Sequence, residues 1–187
     1  MKTVIHMVAT LTIIGIIAGG LLFVVSDWAD PLIAANQKAE TEKAIFLVHP
    51  EGKSYEAAKV KGIEVYKVFD DEKNLDGYSL VYEGNGFQGK IRMMIGLKSD
   101  LNEISSIEIL EQVETPGLGS LITEDNFRKQ FKGLQTSPSV IWVKNEAPDQ
   151  PNEIQAITGA TISSKSVTAI INEGVEKLRQ LKERGEL

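Results

Sequence analysis

Not one of the 187 residues is cysteine. That removes iron–sulfur clusters, thiolate metal sites, disulfides and a lipid-modified N-terminal cysteine, and it leaves the redox compartment open. Histidine is almost as scarce. His6 lies in the first apolar segment and His49 beside Pro50, so no multi-histidine metal site is expected. Positive charge is in deficit too: the net charge is −6, and because Lys2 is the only charged residue before Asp27, the remainder is more acidic still. Such a chain is a poor partner for nucleic acid or anionic lipid. Apolar residues at 42% and charged residues at 25% exclude both a disordered chain and a polytopic membrane protein. The length suits one ordinary domain with chain left over for an anchor.

Charge is absent altogether from Thr3 to Val25, a run of 23 residues. As a helix it reaches roughly 35 Å, enough for a hydrocarbon core of about 30 Å. No small-x-small cleavage signal follows it, so a retained anchor is expected over residues 1–26, with Trp28 as an interfacial aromatic. Lys2 before the run and Asp27 and Asp30 after it place the N-terminus in the cytoplasm and the body outside. Gly15-Ile-Ile-Ala-Gly19 would let another membrane helix approach closely.

A connecting helix is expected within residues 27–50, with Pro31 in its first turn and Leu32, Ala35, Ala39 and Phe46 on one stripe. His49-Pro-Glu-Gly52 ends it, and residues 51–187 form the soluble domain. Ile63–Phe69, Tyr78–Tyr82, Lys90–Leu97 and Ile104–Val113 read as strands, and their short spacers predict an antiparallel meander. A short helix at Asp125–Phe131, a strand at Val140–Val143 and a last helix over Ser163–Lys182 follow. The apolar face of that last helix is Val167, Ile170, Ile171, Val175 and Leu178. The fold class is α+β: a mainly antiparallel sheet with flanking helices, preceded by one N-terminal transmembrane helix.

Two loops carry candidate chemistry. Thr158-Gly-Ala-Thr-Ile-Ser-Ser164 crowds four hydroxyls onto a helix start, where unpaired N–H groups and the positive end of the macrodipole favour an anion. Gly159 and Ala160 keep the approach open, and a threonine hydroxyl can itself be a phosphoester oxygen. The alternative is a plain N-cap by Ser163 or Ser164. Glu114-Thr-Pro-Gly-Leu-Gly119 is a turn that exposes backbone beside Leu118, on which a flat ligand could rest. Its alternative is a bare connection.

E-T-P-G-L-G and T-G-A-T-I-S-S behind one membrane helix resemble the FMN-binding domain of the RnfG and NqrC family, as does Gly86-Phe-Gln-Gly-Lys-Ile-Arg-Met-Met-Ile-Gly96. The resemblance implies FMN held covalently through a phosphoester to Thr161. It implies flavin contacts from Thr158, Gly159, Ala160, Ser163, Ser164, Glu114, Thr115, Gly117 and Leu118, and no catalytic residue or metal. The compact chain is more similar to RnfG than to NqrC. Glu111-Gln-Val113 departs from the family pattern, which has a basic residue or histidine there, so no contact is carried over to Gln112 or Val113. Tyr82 and Trp142 are aromatic candidates for the ring. The implied role is a one-electron carrier between ferredoxin and NAD in an ion-translocating Rnf complex of the cytoplasmic (inner) membrane, with the flavin on the periplasmic side. A separate flavin transferase would attach it, and the pump would lie in other subunits. The alternatives are an NqrC-like component of a quinone reductase, a stand-alone extracytoplasmic flavin carrier, or a flavin-free anchored scaffold.

Overall fold

Strand-forming runs joined by short polar spacers pair with their sequence neighbours, because each hairpin closes at small entropic cost. The computed structural model, which describes residues 1–58, 60 and 62–187, has this topology. Strands β1 (Ser54–Ala58), β2 (Glu64–Phe69), β3 (Leu75–Asn85), β4 (Lys90–Lys98), β5 (Glu103–Gln112) and β6 (Leu134–Gln135) form one antiparallel sheet in chain order. Strands β7 (Ile141–Val143) and β8 (Glu153–Gln155) form a separate parallel pair. The expected α+β class is the one adopted.

Helix α1 runs from Lys2 to Val48 without a break, so Pro31 lies inside it rather than in a first turn. A proline forfeits one hydrogen bond; the helix-forming Ala, Leu, Gln, Lys and Glu residues after it carry the helix past that gap. α1 is long and apolar enough to cross a membrane. The chain divides into two compact units, Met1–Glu40 and Thr41–Leu187. Within the second, Thr41, Ala44, Ile45 and Val48 are the buried stripe. The expected stripe through Leu32, Ala35, Ala39 and Phe46 is therefore out of phase; Phe46 sits at the edge, 39% exposed, with its ring against Tyr55.

The sheet is covered on both faces. One carries Leu80, Ile91, Met93, Ile95 and Ile107 against Val167, Ile170, Ile171, Val175 and Leu178 of helix α3, Thr161–Glu183. The other packs Val68, Val81 and Met94 against Ala44, Ile45 and Val48. β3 extends past the expected Tyr82 because Gly84, still paired with Ile91, has no side chain to collide with Ile170 of α3. β1, with the sequence Ser-Tyr-Glu-Ala-Ala, has little strand character of its own and is held by its pairing with β2. Between β5 and β6 come a 3-10 turn (Gly119–Thr123), helix α2 (Asp125–Arg128) and a second 3-10 turn (Lys129–Phe131).

Ile171 is fully buried between α3 and the sheet, whereas Ile162 in the first turn of α3 is 55% exposed. Ile171→Ala should lower unfolding stability by about 2–5 kcal/mol, and Ile162→Ala should change it by no more than about 0.5 kcal/mol. Thermal or urea unfolding of the two variants checks this, and similar losses would contradict the packing described.

Candidate functional site

The helix start, for which a serine cap is the alternative reading, has no side-chain cap. α3 begins at Thr161 with Ala160 as its N-cap residue. Ser164 turns back instead: its hydroxyl donates to the Ala160 carbonyl (3.0 Å) and accepts from the Ile157 N–H (3.0 Å). Ser163, also buried, donates its hydroxyl to Oε2 of Glu114. The capping alternative fails because both hydroxyls are drawn inward to buried acceptors. The first α3 backbone bond runs from the Ser164 N–H to the Ala160 carbonyl (3.0 Å). Among the described residues, the N–H groups of Thr161, Ile162 and Ser163 have no backbone acceptor.

Thr161 is thus the first helical residue, half-buried, and among the described residues its hydroxyl makes no protein hydrogen bond. Thr158 and Gly159 before it are exposed, and Ala160 is buried. Gly159 has φ +85°, a conformation natural to glycine, and a Cβ there would come 3.3 Å from Cδ2 of Leu118. The two candidate loops are therefore adjacent, with Leu118 of one lying over the backbone of the other.

Glu114 makes the deeper connection. Its side chain is 4% exposed. Oε1 accepts from the N–H groups of Phe87 (2.9 Å) and Gln88 (3.0 Å) in the turn between β3 and β4, and Oε2 accepts from Ser163 on α3. Burial pushes this carboxyl up; the Ser163 hydroxyl and the N–H groups of Gln88, Phe87 and Gly89 outweigh burial and hold it below the ordinary glutamate range. The Glu114 N–H donates to Oε1 of Gln112 (2.6 Å), and the Gln88 side-chain amide donates to Oγ1 of Thr115 (2.7 Å). Gly117 adopts φ +72°, and its N–H donates to the Ser120 hydroxyl (3.0 Å), which fixes the turn.

An apolar rim surrounds this junction: Phe87 (61% exposed), Val113 (63%), Leu118 (47%) and Ile162 (55%). Neither expected aromatic belongs to it. The Tyr82 hydroxyl donates to Glu173, about 18 Å along α3 from Thr161, and Trp142 packs against the core. Phe87, flanked by Gly86 and the Gly89 turn, is the aromatic at the junction; its place inside the Gly86–Gly96 stretch was the signal the sequence carried for it.

A family of FMN-binding domains matches residues 86–176, a span that begins at the Gly86 turn and takes in both loops. The G subunit of an ion-translocating oxidoreductase complex from Methanosarcina acetivorans is 29% identical over 185 residues, 94% of each chain. The G subunit of the proton-translocating ferredoxin:NAD(+) oxidoreductase complex of Clostridium ljungdahlii is 30% identical over 169 residues, 90% of this chain and 88% of that one. The chain belongs to this RnfG family. The crystal structure of Shewanella oneidensis NqrC shares the fold, with a TM-score of 0.59 at 23% identity over 73% of this chain and 74% of that one. In this RnfG homologue the Glu114 carboxylate joins the turn after β3 and the start of α3 to its own loop after β5.

A carboxyl held below its ordinary value contributes stability above its unfolded pKa, about 4.3, and loses it as pH falls through the folded value. Glu114→Gln should therefore cost about 1–3 kcal/mol at pH 7. The gap between the two proteins should narrow steadily on acidification below pH about 4.3. Urea denaturation at a series of pH values measures it; a gap that stays constant down to pH about 3 would mean the charge is not what these bonds hold.

Proposed function

We propose that this chain is a membrane-anchored electron carrier of an Rnf-type complex, with FMN joined through its phosphate to Thr161. The observation that carries this reading is the state of that side chain. Among the described residues, it is a threonine hydroxyl with no hydrogen-bond partner, at the first position of α3, beside three N–H groups that lack backbone acceptors. The residues fit the group: an anion at a helix start is favoured by the free donors and the macrodipole. Thr158 adds a further exposed hydroxyl, and the rim of Phe87, Leu118 and Ile162 offers apolar cover for a flat ring.

Attachment would proceed at Oγ of Thr161. With FAD as donor, the new bond joins Oγ to the FMN phosphorus, the pyrophosphate bond breaks, AMP leaves and the hydroxyl proton passes to a base of a separate flavin transferase. Bound flavin supplies one-electron storage. The chain's own part is placement: Gly159 and Ala160 leave the hydroxyl approachable, and Leu118, on the same turn as Thr115 and Gly117, lies against Gly159. Residues 1–26 span the membrane, 27–50 connect, and 51–187 hold the flavin on the periplasmic side. Partners are the other subunits of the complex. An NqrC-like role shares the fold, but the RnfG relatives match this chain nearly end to end.

Coexpressed with a flavin transferase, the full-length chain should gain the mass of one FMN less one water and fluoresce in a denaturing gel. Thr161→Ala should be unmodified and dark, and a variant that still carries flavin would refute the assignment. Orientation has its own check. With no native cysteine, Asn145→Cys gives a single thiol in the exposed loop before β8, which a membrane-impermeant maleimide should label in intact spheroplasts; labelling only after lysis would reverse the topology.

A further inference from the structure

The Glu114 carboxylate joins three segments distant in sequence and does so with both of its oxygens. Oε1 takes the Phe87 and Gln88 N–H groups, 27 and 26 residues away, and Oε2 takes the Ser163 hydroxyl, 49 residues away. Two glycines make room for it. A Cβ on Gly119 would lie 2.8 Å from Oε2 and 2.7 Å from the Ser163 hydroxyl, and one on Gly86 would collide with Oε1. With its oxygens committed to protein donors and only 4% of the residue exposed, Glu114 offers a ligand nothing directly. Ser163, however, lies two residues beyond Thr161 in the same turn of α3.

We infer that Glu114 is a positioning residue for the modification of Thr161, acting through Ser163. Resting on the reading of Thr161 as the flavin attachment site, this moves Glu114 from the set of flavin contacts to the support beneath them. Its charge also matters. An ionised acceptor makes a stronger bond to the serine than a neutral one and complements the positive end of α3. It therefore fixes the rotation of the first helical turn, and with it the direction in which the Thr161 hydroxyl emerges. The same carboxylate holds the Phe87 turn, so the apolar rim and the nucleophile are set by one group.

The rate of FMN incorporation separates this from a merely structural role. Full-length chain in membranes is incubated with flavin transferase and FAD, and the modified fraction is read by intact mass over time. Glu114→Gln, which keeps the shape and removes the charge, should slow incorporation by about tenfold or more, as misplacement of a reacting group does. Ser163→Ala should slow it similarly, and the double variant should be no slower than the slower single one, because one variant weakens and the other removes the same Glu114–Ser163 contact. Unfolding of each chain is followed in parallel. Should Glu114→Gln fail to fold, Ser163→Ala, which leaves Oε1 and both backbone donors intact, decides alone by the same slowing. Incorporation at the wild-type rate in the folded variants overturns the inference, as does a double variant whose losses multiply. A wild-type chain that takes no flavin instead overturns the attachment site itself.

Discussion

A carboxylate shut away from water must find donors, and at Glu114 they come from a β-turn 27 residues upstream and a helix 49 residues downstream. Losing any one of them would leave an anion under-solvated in a site that is only 4% exposed, at a cost of about 1–3 kcal/mol against the roughly 0.5–1.5 kcal/mol of a net hydrogen bond. The turn at Gly86–Gly89, the Thr115–Gly119 loop and the start of α3 therefore cannot shift independently. The orientation of Thr161 depends on that constraint, since the residue sits on the helical turn that the carboxylate grips.

The sheet supplies the other half of the rigidity. β3, β4 and β5 are long, consecutive and antiparallel, so the turn bearing Phe87 and the loop that follows β5 emerge at the same end of the sheet. α3 crosses one face with Val167, Ile170, Ile171 and Val175 fully packed, which sets the position of its first turn against those strand ends. A loop held at both ends by such elements is a poor candidate for large rearrangement. The site is thus built on regular structure, although the residues that border the proposed flavin lie on loops.

Much of this architecture was readable because its signals are local. The face of α3 through Val167, Ile170, Ile171, Val175 and Leu178 follows a helical period, and the central strands are apolar runs separated by short polar spacers. Thr161 stands out for a different reason: its motif is contiguous, so a short stretch suffices to mark it. The buried stripe of α1 was misphased because Phe46, the largest apolar residue nearby, packs at an edge while Thr41 and Ala44 go inside. β1 and β6 have no period to find, since they exist by pairing. The role of Ser163 was least visible. A serine near a helix start reads as a cap, and only the buried partner contributed by another loop redirects it.

Holding and orienting an anion are different tasks, and the charge distribution divides them. Neither Glu114–Ser120 nor Thr158–Ser164 contains a lysine or arginine. From these two loops a phosphate would meet N–H groups, hydroxyls and the end of a helix dipole, with a carboxylate nearby. Such a dipole contributes about 0.3–1 kcal/mol, up to about 2 kcal/mol where partly buried, whereas retention at micromolar concentration needs about 8 kcal/mol. The apolar rim is too open to supply most of the difference, with Phe87, Val113, Leu118 and Ile162 each about half exposed or more. Weak donors of this kind can aim a phosphate but not keep it, so a covalent bond at Thr161 would supply what the non-covalent contacts lack.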